Sequence, residues 1–389
     1  MKVLRLAFTV SFLCVFFSCN EKNEGLKFQV TNALDLERTY ETVELSRSFL
    51  SVESLEGLGI KDLETNEVLT SQLVDNDGDG VHDVLLFQPA IKANATKTFE
   101  IVNTTESDSA DVVCYSRFVP ERTDDYAWEN NRVAFRIFGP DAQYRFENKL
   151  KEGTLSSGVD AWLKKVEYSI INKWYKKYTE KTGTYHEDDG EGLDNFHVGR
   201  SRGVGGLAYK KDSTYYISKN FTKHKAITTG PIRTSFWVEY DLWGPEGNLI
   251  KESRVISLDY GSNLSKFEVT LEGVDTISAG LTLHEKDGVV TSHKNETWLN
   301  YWQPHAEAEL GTAIVASPEY YLGSEKYETE EKDLSNGFMH LKVLNGKVIY
   351  YSGFTWSKSN QFKNQYAWEQ YLSAFAKKLR TPLKMELVK

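Results

Sequence analysis

Residues 233–240 read Arg-Thr-Ser-Phe-Trp-Val-Glu-Tyr. Apolar and polar side chains alternate here well enough to place one face inward, which is typical of a β-strand. Similar short runs rich in Val, Ile, Tyr, Phe and Thr occur at Lys27–Ala33, Val81–Phe87, Arg132–Phe138, Lys266–Leu271, Phe338–Leu344 and Lys347–Phe354. Asn345-Gly346 between the last two runs predicts a hairpin. The sequence therefore predicts a mainly β protein built from antiparallel sheets.

A polar stretch without apolar periodicity, residues 104–110, predicts a domain boundary. It would separate a small β-domain, residues 27–103, from a large β-sandwich, residues 111–389. Two segments show helical spacing instead. Gln365–Leu379 predicts a C-terminal helix, and Asp160–Tyr178 predicts a second helix with Asp160 as its N-cap.

The N-terminus has the layout of a signal peptide recognised for lipid attachment. Lys2 and Arg5 precede an apolar run that ends before Ser18 and Cys19. The expectation is removal of residues 1–18, a lipid on Cys19 that anchors the chain to a membrane, and a short linker over residues 19–26. The protein would then work in the cell envelope, in the periplasm at the outer membrane.

Composition narrows the functions open to the chain. The net charge of −10 argues against a nucleic-acid partner, because no basic stripe is present to replace counterions. Aromatic residues make up 13 %, which suits either sugar stacking or an aromatic-rich β core. Cys114 lies in a strand-like apolar run, where a buried and inert thiol is expected.

An acidic turn, residues 75–83, carries oxygen-bearing side chains at alternate positions. Asp75, Asp77, Asp79 and Asp83 could converge on calcium in a structural site, although a bidentate Glu at the twelfth position is missing. The alternative is an acidic β-turn that holds no ion.

The segment from Tyr185 to Gly206 has neither helical nor strand period and concentrates His, Arg, Gly and acidic residues. Such loops carry function more often than packing. His186 and His197 could exchange protons near neutral pH, with Tyr185 as a third candidate. Arg200 and Arg202 could grip a carboxylate or sulfate. A long solvated loop is the alternative, and a zinc site would need a further ligand that the spacing does not supply.

Other aromatic and histidine groups could line the same cleft as substrate-binding residues: Trp128, His284, Tyr301 and His305. Ordinary packing is the competing interpretation for each of them. The chain has no nucleophile elbow, P-loop or dinucleotide fingerprint, so no organic cofactor is expected.

Four stretches together carry a family resemblance: residues 126–140, residues 186–206, Gly230-Pro-Ile-Arg at the start of residues 230–240, and residues 356–368. They resemble an exported Bacteroidetes family from polysaccharide utilisation loci, one branch of which is similar to ulvan oligosaccharide dehydratases. The Gly-Pro-x-Arg strand also resembles galactose-mutarotase-like β-supersandwiches. The resemblance implies a β-supersandwich fold and an anionic oligosaccharide substrate.

Dehydration of a terminal uronic acid fits the candidate residues. The C5 proton becomes acidic enough to remove once Arg200 or Arg202 neutralises the adjacent carboxylate. His186 and His197 would serve as base and acid in either order, with Tyr185, His284 or Tyr301 as substitutes. A uronate lyase, a mutarotase or epimerase, and a non-catalytic glycan-binding lipoprotein remain alternatives.

Overall fold

The computed structural model describes residues 25–104 and 111–388. The predicted signal peptide and Cys19 lie outside these ranges. Within them, no helix is long and apolar enough to cross a membrane.

A small N-terminal module is formed by seven strands and one short helix. These are β1 Lys27–Thr31, β2 Val43–Ser46, α1 Arg47–Leu50, β3 Leu58–Asp62, β4 Val68–Leu69, β5 Ser71–Val74, β6 Val84–Phe87 and β7 Thr96–Asn103. They form a sheet of β1, β7, β3 and β4 and a three-stranded sheet in the order β2-β6-β5. The core between the sheets includes Phe28, Leu45, Phe87 and Phe99. Burial of these apolar side chains is the main favourable contribution to the stability of the module.

The large region begins with a five-stranded sheet and its helices. Its elements are β8 Tyr115–Val119, β9 Asp125–Glu129, β10 Ala134–Ile137, α2 Pro140–Glu147, β11 Asp160–Lys164, α3 Ile171–Thr179 and β12 Gly192–Leu193. The strand order is β12-β11-β10-β9-β8.

Two further sheets form the sandwich. The strands are β13 Val204–Lys211, β14 Thr214–Tyr216, β15 Phe221–Thr228, β16 Arg233–Trp243, β17 Ile250–Asp259, β18 Leu264–Glu272, β19 Thr276–Thr282, β20 Val289–His293, β21 Trp298–His305, β22 Ala308–Ala316, β23 Tyr321–Tyr327, β24 Asn336–Lys342 and β25 Lys347–Trp356. One sheet has eight strands in the order β15-β16-β17-β18-β25-β22-β21-β20, and the other has five in the order β14-β13-β19-β24-β23. All three sheets of the large region contribute to one hydrophobic core. The prediction of a mainly β fold with antiparallel sheets is confirmed.

Strand β16 alternates as expected, with Thr234, Phe236, Val238 and Tyr240 buried. Asn345 and Gly346 adopt positive φ, and Leu344 and Lys347 exchange both backbone hydrogen bonds across them. The predicted turn is therefore present. Its flanking strands nevertheless separate, because β24 joins the five-stranded sheet while β25 joins the eight-stranded sheet. The turn carries the chain between the two layers of the sandwich.

The C-terminal segment contains α4 Gln365–Arg380 and β26 Lys384–Leu387. The helix confirms its prediction: Asn364 caps it by accepting from Ala367 N, and Trp368, Leu372 and Ala376 pack on the eight-stranded sheet. Strand β26 then pairs with β1, with Phe28 opposite Leu387. Strand β26 therefore belongs to a sheet of the small module, although the prediction placed it within the large domain of residues 111–389.

The helix predicted over Asp160–Tyr178 is wrong in its first part. Residues 160–164 form β11, whose five side chains are all buried, and the helix starts only at Ile171. A strand buried on both faces loses the alternating pattern, so its apolar run cannot be distinguished from a helix by period. Asp160 is consequently not an N-cap. Glu129 of β9 accepts from Ile170 N and Ile171 N at the start of α3 instead.

Cys114 is buried as predicted, and its backbone bridges to Gly230. Burial raises the pKa of its thiol well above the usual range. This environment keeps the sulfur protonated and unreactive.

Candidate functional site

A cleft of about 890 Å³ lies beside the loop that joins α3 to β13. It brings together three of the predicted site residues, His186, His197 and Arg200. Its wall also includes Asp333 from the loop between β23 and β24, and Lys219 from the segment between β14 and β15. Loops from several distant parts of the chain thus meet at one concave surface, as is usual for ligand sites.

His197 is held from two sides. Its Nε2 lies 3.1 Å from Asp333 Oδ2, while its ring remains 59 % exposed. Its carbonyl oxygen accepts a hydrogen bond of 2.8 Å from His284 Nε2. A carboxylate on one ring nitrogen fixes the orientation of the imidazole. The other ring nitrogen, Nδ1, is free to exchange a proton.

His186 presents the opposite nitrogen. Its Nδ1 donates to the carbonyl oxygen of Asp194 at 2.7 Å, and the Asp194 carboxylate lies 3.7 Å away. The ring is half exposed. Nε2 is therefore the atom available to a ligand. The cleft contains two imidazoles, each oriented through one nitrogen by a contact with the protein.

Arg200 supplies a positive charge at the cleft. Its side chain is exposed, and it forms no ion pair with the carboxylates of residues 25–104 and 111–388. Lys219 also lines the cleft but is paired with Glu147 at 2.6 Å. Arg200 is thus an exposed guanidinium that is available to an external anion.

The floor of the cleft is a buried charge cluster centred on Arg136. Its Nη2 donates to Asp160 Oδ2 at 2.5 Å and to Asp194 Oδ2 at 3.0 Å, and Nη1 lies 3.5 Å from Asp125 Oδ2. Burial opposes the charge of Arg136, but the three carboxylates outweigh it and hold its pKa above the ordinary value. This cluster fixes β10, β11 and the 185–195 loop against one another.

Three carboxylates around one guanidinium leave excess negative charge in a buried space. Burial raises the pKa of Asp125 to about 6, although Arg136 opposes the shift. Burial and the nearby Asp194 raise the pKa of Asp160 well above its usual range, again against the effect of Arg136. For both carboxyl groups, the free-energy penalty of desolvating the charged form exceeds the stabilisation that the Arg136 guanidinium provides.

Sequence reasoning did not identify Arg136, Asp160 and Asp194 as a group. The available signal was a charged residue inside each of two otherwise apolar segments, Ala134-Phe-Arg-Ile137 and Asp160-Ala-Trp-Leu. A charge in a fully buried strand requires a partner. The sequence could not indicate which residue that partner is.

Two predicted residues of the loop point inward. Tyr185 is buried, and its hydroxyl accepts from Arg122 Nε at 3.2 Å. Arg202 is also buried and donates to Ser157 Oγ, to the Leu207 carbonyl oxygen and to the Arg200 carbonyl oxygen. Burial and the nearby Arg254 lower its pKa to about 9. Neither residue reaches the cleft, so the expected roles of Tyr185 and Arg202 in contacting a substrate are not supported by their positions.

The aromatic candidates Trp128 and Tyr301 are core residues. Trp128 is fully buried and donates to Ser265 Oγ at 2.9 Å. Tyr301 is 1 % exposed, and its hydroxyl accepts from Gly288 N. For both residues the packing interpretation applies, because a ring without exposed surface cannot stack on a sugar.

His284 and His305 form a layer behind the 195–198 segment. His305 Nε2 donates to Asn195 Oδ1 at 3.0 Å, and the Phe196 ring lies edge-on to the His284 ring. Burial lowers the pKa of His284, and burial together with the proximity of His284 lowers the pKa of His305 to about 4. Both rings are neutral near pH 7. They position the segment that carries His197 instead of lining the cleft.

The acidic turn lies between β5 and β6, away from this cleft. The carboxylate oxygens of Asp75, Asp77 and Asp83 lie within 4.8 Å of one another, whereas Asp79 is not part of that group. Asp75 also accepts from Gly78 N and Gly80 N, which lowers its pKa. Three convergent carboxylates suit a hard cation such as calcium.

The comparisons with known proteins place the chain in a family. A family model described as "Domain of unknown function (DUF4861)" matches residues 30–385. "Uncharacterized protein P7" of Formosa agariphila is 51 % identical over 395 residues, which covers 100 % of both chains.

Two solved structures from Enterococcus faecalis show a distant likeness. One is a protein in the glycosyl hydrolase family 38, with 11 % identity and a TM-score of 0.46 over 94 % of this chain and 47 % of that chain. The other is an α-mannosidase of strain V583, with 10 % identity and a TM-score of 0.46 over 94 % of this chain and 46 % of that chain. The chain spans slightly less than half the length of each.

Proposed function

We propose that this chain, which belongs to the DUF4861 family, is an enzyme that removes water from the non-reducing-end uronic acid of an anionic oligosaccharide. The product would be a 4,5-unsaturated uronate. The observation that carries the proposal is one cleft in which two oriented, solvent-accessible imidazoles lie with an unpaired guanidinium. Elimination of water next to a carboxylate needs a base, an acid and a group that neutralises the carboxylate, and these three groups can fill those roles.

Arg200 binds the carboxylate of the terminal sugar. Its fixed positive charge lowers the energy of the enolate-like intermediate that forms when C5 loses its proton. Because Arg200 is not paired within the described part of the chain, its guanidinium need not leave a protein carboxylate to do so. The net charge of −10 disfavours long anionic polymers at a distance, so a short oligosaccharide held by local cations is the better substrate.

We assign the base to His197 and the acid to His186. His197 Nδ1 takes the proton from C5, and the Asp333 carboxylate at Nε2 stabilises the imidazolium that results. The electrons of the C5–H bond form the C4–C5 double bond, and the C4–O4 bond breaks. His186 donates the proton from Nε2 to O4, which leaves as water. The hydrogen bond from His186 Nδ1 to the Asp194 carbonyl oxygen keeps the ring oriented for this step.

We also propose that the enzyme works in the cell envelope, where a lipid on Cys19 anchors it. The basis is the basic, apolar and small-residue pattern of residues 1–19. Metabolic labelling with an alkyne fatty acid tests it. Wild type should be labelled and Cys19→Ala should not; equal labelling would refute the anchor.

Activity is tested with uronate-terminated oligosaccharides. Product masses and the ultraviolet absorbance of the conjugated double bond are recorded together. Loss of one water without chain cleavage supports the dehydratase. Chain cleavage with the same absorbance would mean that a sugar leaves from C4, so the enzyme would be a lyase. If neither loss of water nor chain cleavage occurs while the oligosaccharides still bind, the protein is a non-catalytic glycan-binding protein.

Two variants test the site. His197→Ala and Arg200→Ala should each lower kcat/KM by roughly 10²-fold or more, since each removes a group that acts in the transition state. His293→Ala is the matched control, because His293 is an exposed histidine outside the cleft. Wild-type rates in both site variants would remove this cleft from the mechanism.

A further inference from the structure

A second cavity of about 660 Å³ lies on the opposite side of the eight-stranded sheet from the sandwich core. Residues of the N-terminal module, of β17, β18 and β25, and of α4 all contribute to its wall. It shares no lining residue with the cleft that contains His197. Cavities of this size at the junction of separate structural units are common ligand sites.

Tyr40 of the N-terminal module lines this cavity with a ring that is held in place. The residue is 50 % exposed and has a φ of 56°, a left-handed conformation that is unfavourable for a bulky side chain. Gln88 Nε2 donates to its carbonyl oxygen, and Tyr260 packs edge-on against its ring at 5.6 Å. A Cβ on Gly261 would come within 2.5 Å of Tyr40 Cγ, so the glycine makes room for the ring. The surrounding structure thus maintains a strained and exposed tyrosine.

The cavity wall contains further aromatic residues from β25, from α4 and from the segment between them. Tyr351 of β25 packs edge-on against Phe375 of α4, with ring centroids 5.0 Å apart, and Phe362 lies against Tyr371. These rings belong to the cluster that fixes α4 on the sheet. They are therefore rigid. A ligand in the cavity would have both Tyr40 and these rings in its wall.

The charges around the cavity balance. Four cationic and four carboxylate side chains line it. Arg233 donates to both Glu44 and Asp259, and Lys266 pairs with Glu268 at 3.0 Å. The formal charges of the lining therefore sum to zero. A lining without net charge that also contains aromatic rings favours an uncharged ligand with apolar faces and many hydroxyl groups.

We infer that this cavity is a second glycan-binding site, which takes neutral pyranose units against Tyr40 and the aromatic residues of β25 and α4. The choice of a sugar as the ligand class rests on the proposed function. The site itself does not require chemistry in the first cleft. In an oligosaccharide-processing enzyme, such a site would hold neutral sugars while uronate ends are processed elsewhere.

Binding is measured by isothermal titration calorimetry with xylotetraose and cellotetraose, which are neutral and lack any uronate. The test variant is Tyr40→Gly, which removes the ring and also relieves the positive φ, so folding should be retained. Tyr366→Ala is the matched control, because Tyr366 is a 70 % exposed tyrosine of α4 that does not line the cavity.

Wild type should bind at least one tetrasaccharide. Tyr40→Gly should weaken that binding by about ten-fold or more, a change of the size expected for loss of one stacking ring. Tyr366→Ala and His197→Ala should bind as wild type does. No binding of either sugar by wild type, or equal binding by wild type and Tyr40→Gly, would overturn the inference. Because these sugars contain no uronate, the result is independent of whether the enzyme is a dehydratase.

Discussion

The Nε2 atom of His197 lies 3.1 Å from Oδ2 of Asp333, although the two residues are 136 positions apart in the chain. Gly199 makes this approach possible. A Cβ at position 199 would lie 2.2 Å from Asp333 Oδ2 and 2.8 Å from His197 Nε2. The glycine also has a φ of 52°. The pairing of the two residues therefore depends on a position that carries neither charge nor ring.

Gly199→Ala should separate His197 from Asp333. We expect a loss of stability of about 1 kcal/mol from the positive φ, and a larger loss of activity, roughly ten-fold or more, because the imidazolium loses its carboxylate partner. Imidazole ¹⁵N NMR of His197 reports the pair directly, and initial rates report activity.

Gly190→Ala is the control for this change. Gly190 lies in the same loop and also has a positive φ, but a Cβ there would meet nothing within 4 Å. The Gly190→Ala variant should be less stable than wild type, and its His197 resonances should be unchanged. Identical spectra for Gly199→Ala and wild type would contradict the steric explanation.

Asp125 should make the protein less stable as the pH rises. Its pKa is about 6 in the folded state because of burial, against about 4 for an exposed aspartate. Between these values the folded state holds the proton and the unfolded state does not, so stability falls with increasing pH and stays lower above 6. Asp125→Asn should be more stable than wild type at pH 7.5, by about 1–3 kcal/mol in urea unfolding, and the gain should vanish near pH 4.

Asp188 serves as a control, because its contribution to stability should change with pH in the opposite direction to that of Asp125. Burial raises its pKa, but hydrogen bonds from Lys165 and from the backbone of Gly190 and Gly192 outweigh that and lower it. Its contribution is present above the unfolded value and is lost as the pH falls. Asp188→Asn should therefore destabilise the protein at pH 7.5. Equal behaviour of the two variants would exclude the desolvation account of Asp125.

His305 should limit stability in acid. Its folded pKa of about 4 lies below the ordinary value of about 6.5, so the unfolded state takes up the proton first. The contribution is complete above pH 6.5 and is lost as the pH falls towards 4. His305→Gln keeps an N–H donor for Asn195 and should flatten the loss of stability between pH 7.5 and 5. Urea unfolding measures this, and parallel pH curves for variant and wild type would disprove it.

Sequence reasoning succeeded where the signal was local. The strand at Arg233–Trp243 and the helix at Gln365–Arg380 follow from spacing within one element. The loop that carries His186, His197 and Arg200 was recognisable because polar groups collect there without a period. The sequence did not show which side chains of this loop face solvent and which face the core. Arg200 and Arg202 are two residues apart, yet Arg200 is exposed and Arg202 is buried.

The partners of the site residues could not be found for a related reason. Asp333 reaches His197 from a loop far along the chain, and Arg136 meets Asp160 and Asp194 only after the sheet has formed. The Asn345-Gly346 turn illustrates the same limit. Its local conformation follows from the two residues, but the sheets that its strands join depend on the whole sandwich.

The calcium proposal for the acidic turn can be tested with two closely matched variants. Asp77 and Asp79 each accept a backbone hydrogen bond two residues ahead, but only Asp77 belongs to the convergent group with Asp75 and Asp83. Asparagine preserves that hydrogen bond and removes the charge.

We expect millimolar calcium to raise the Tm of wild type and of Asp79→Asn, because a ligand that binds only the folded state stabilises it. Asp77→Asn should lose most of this response, since carboxylates bind calcium more strongly than amides do. Thermal unfolding in calcium and in EDTA measures the difference. Equal responses in the two variants, or none in wild type, would show that the turn is held by its own hydrogen bonds alone.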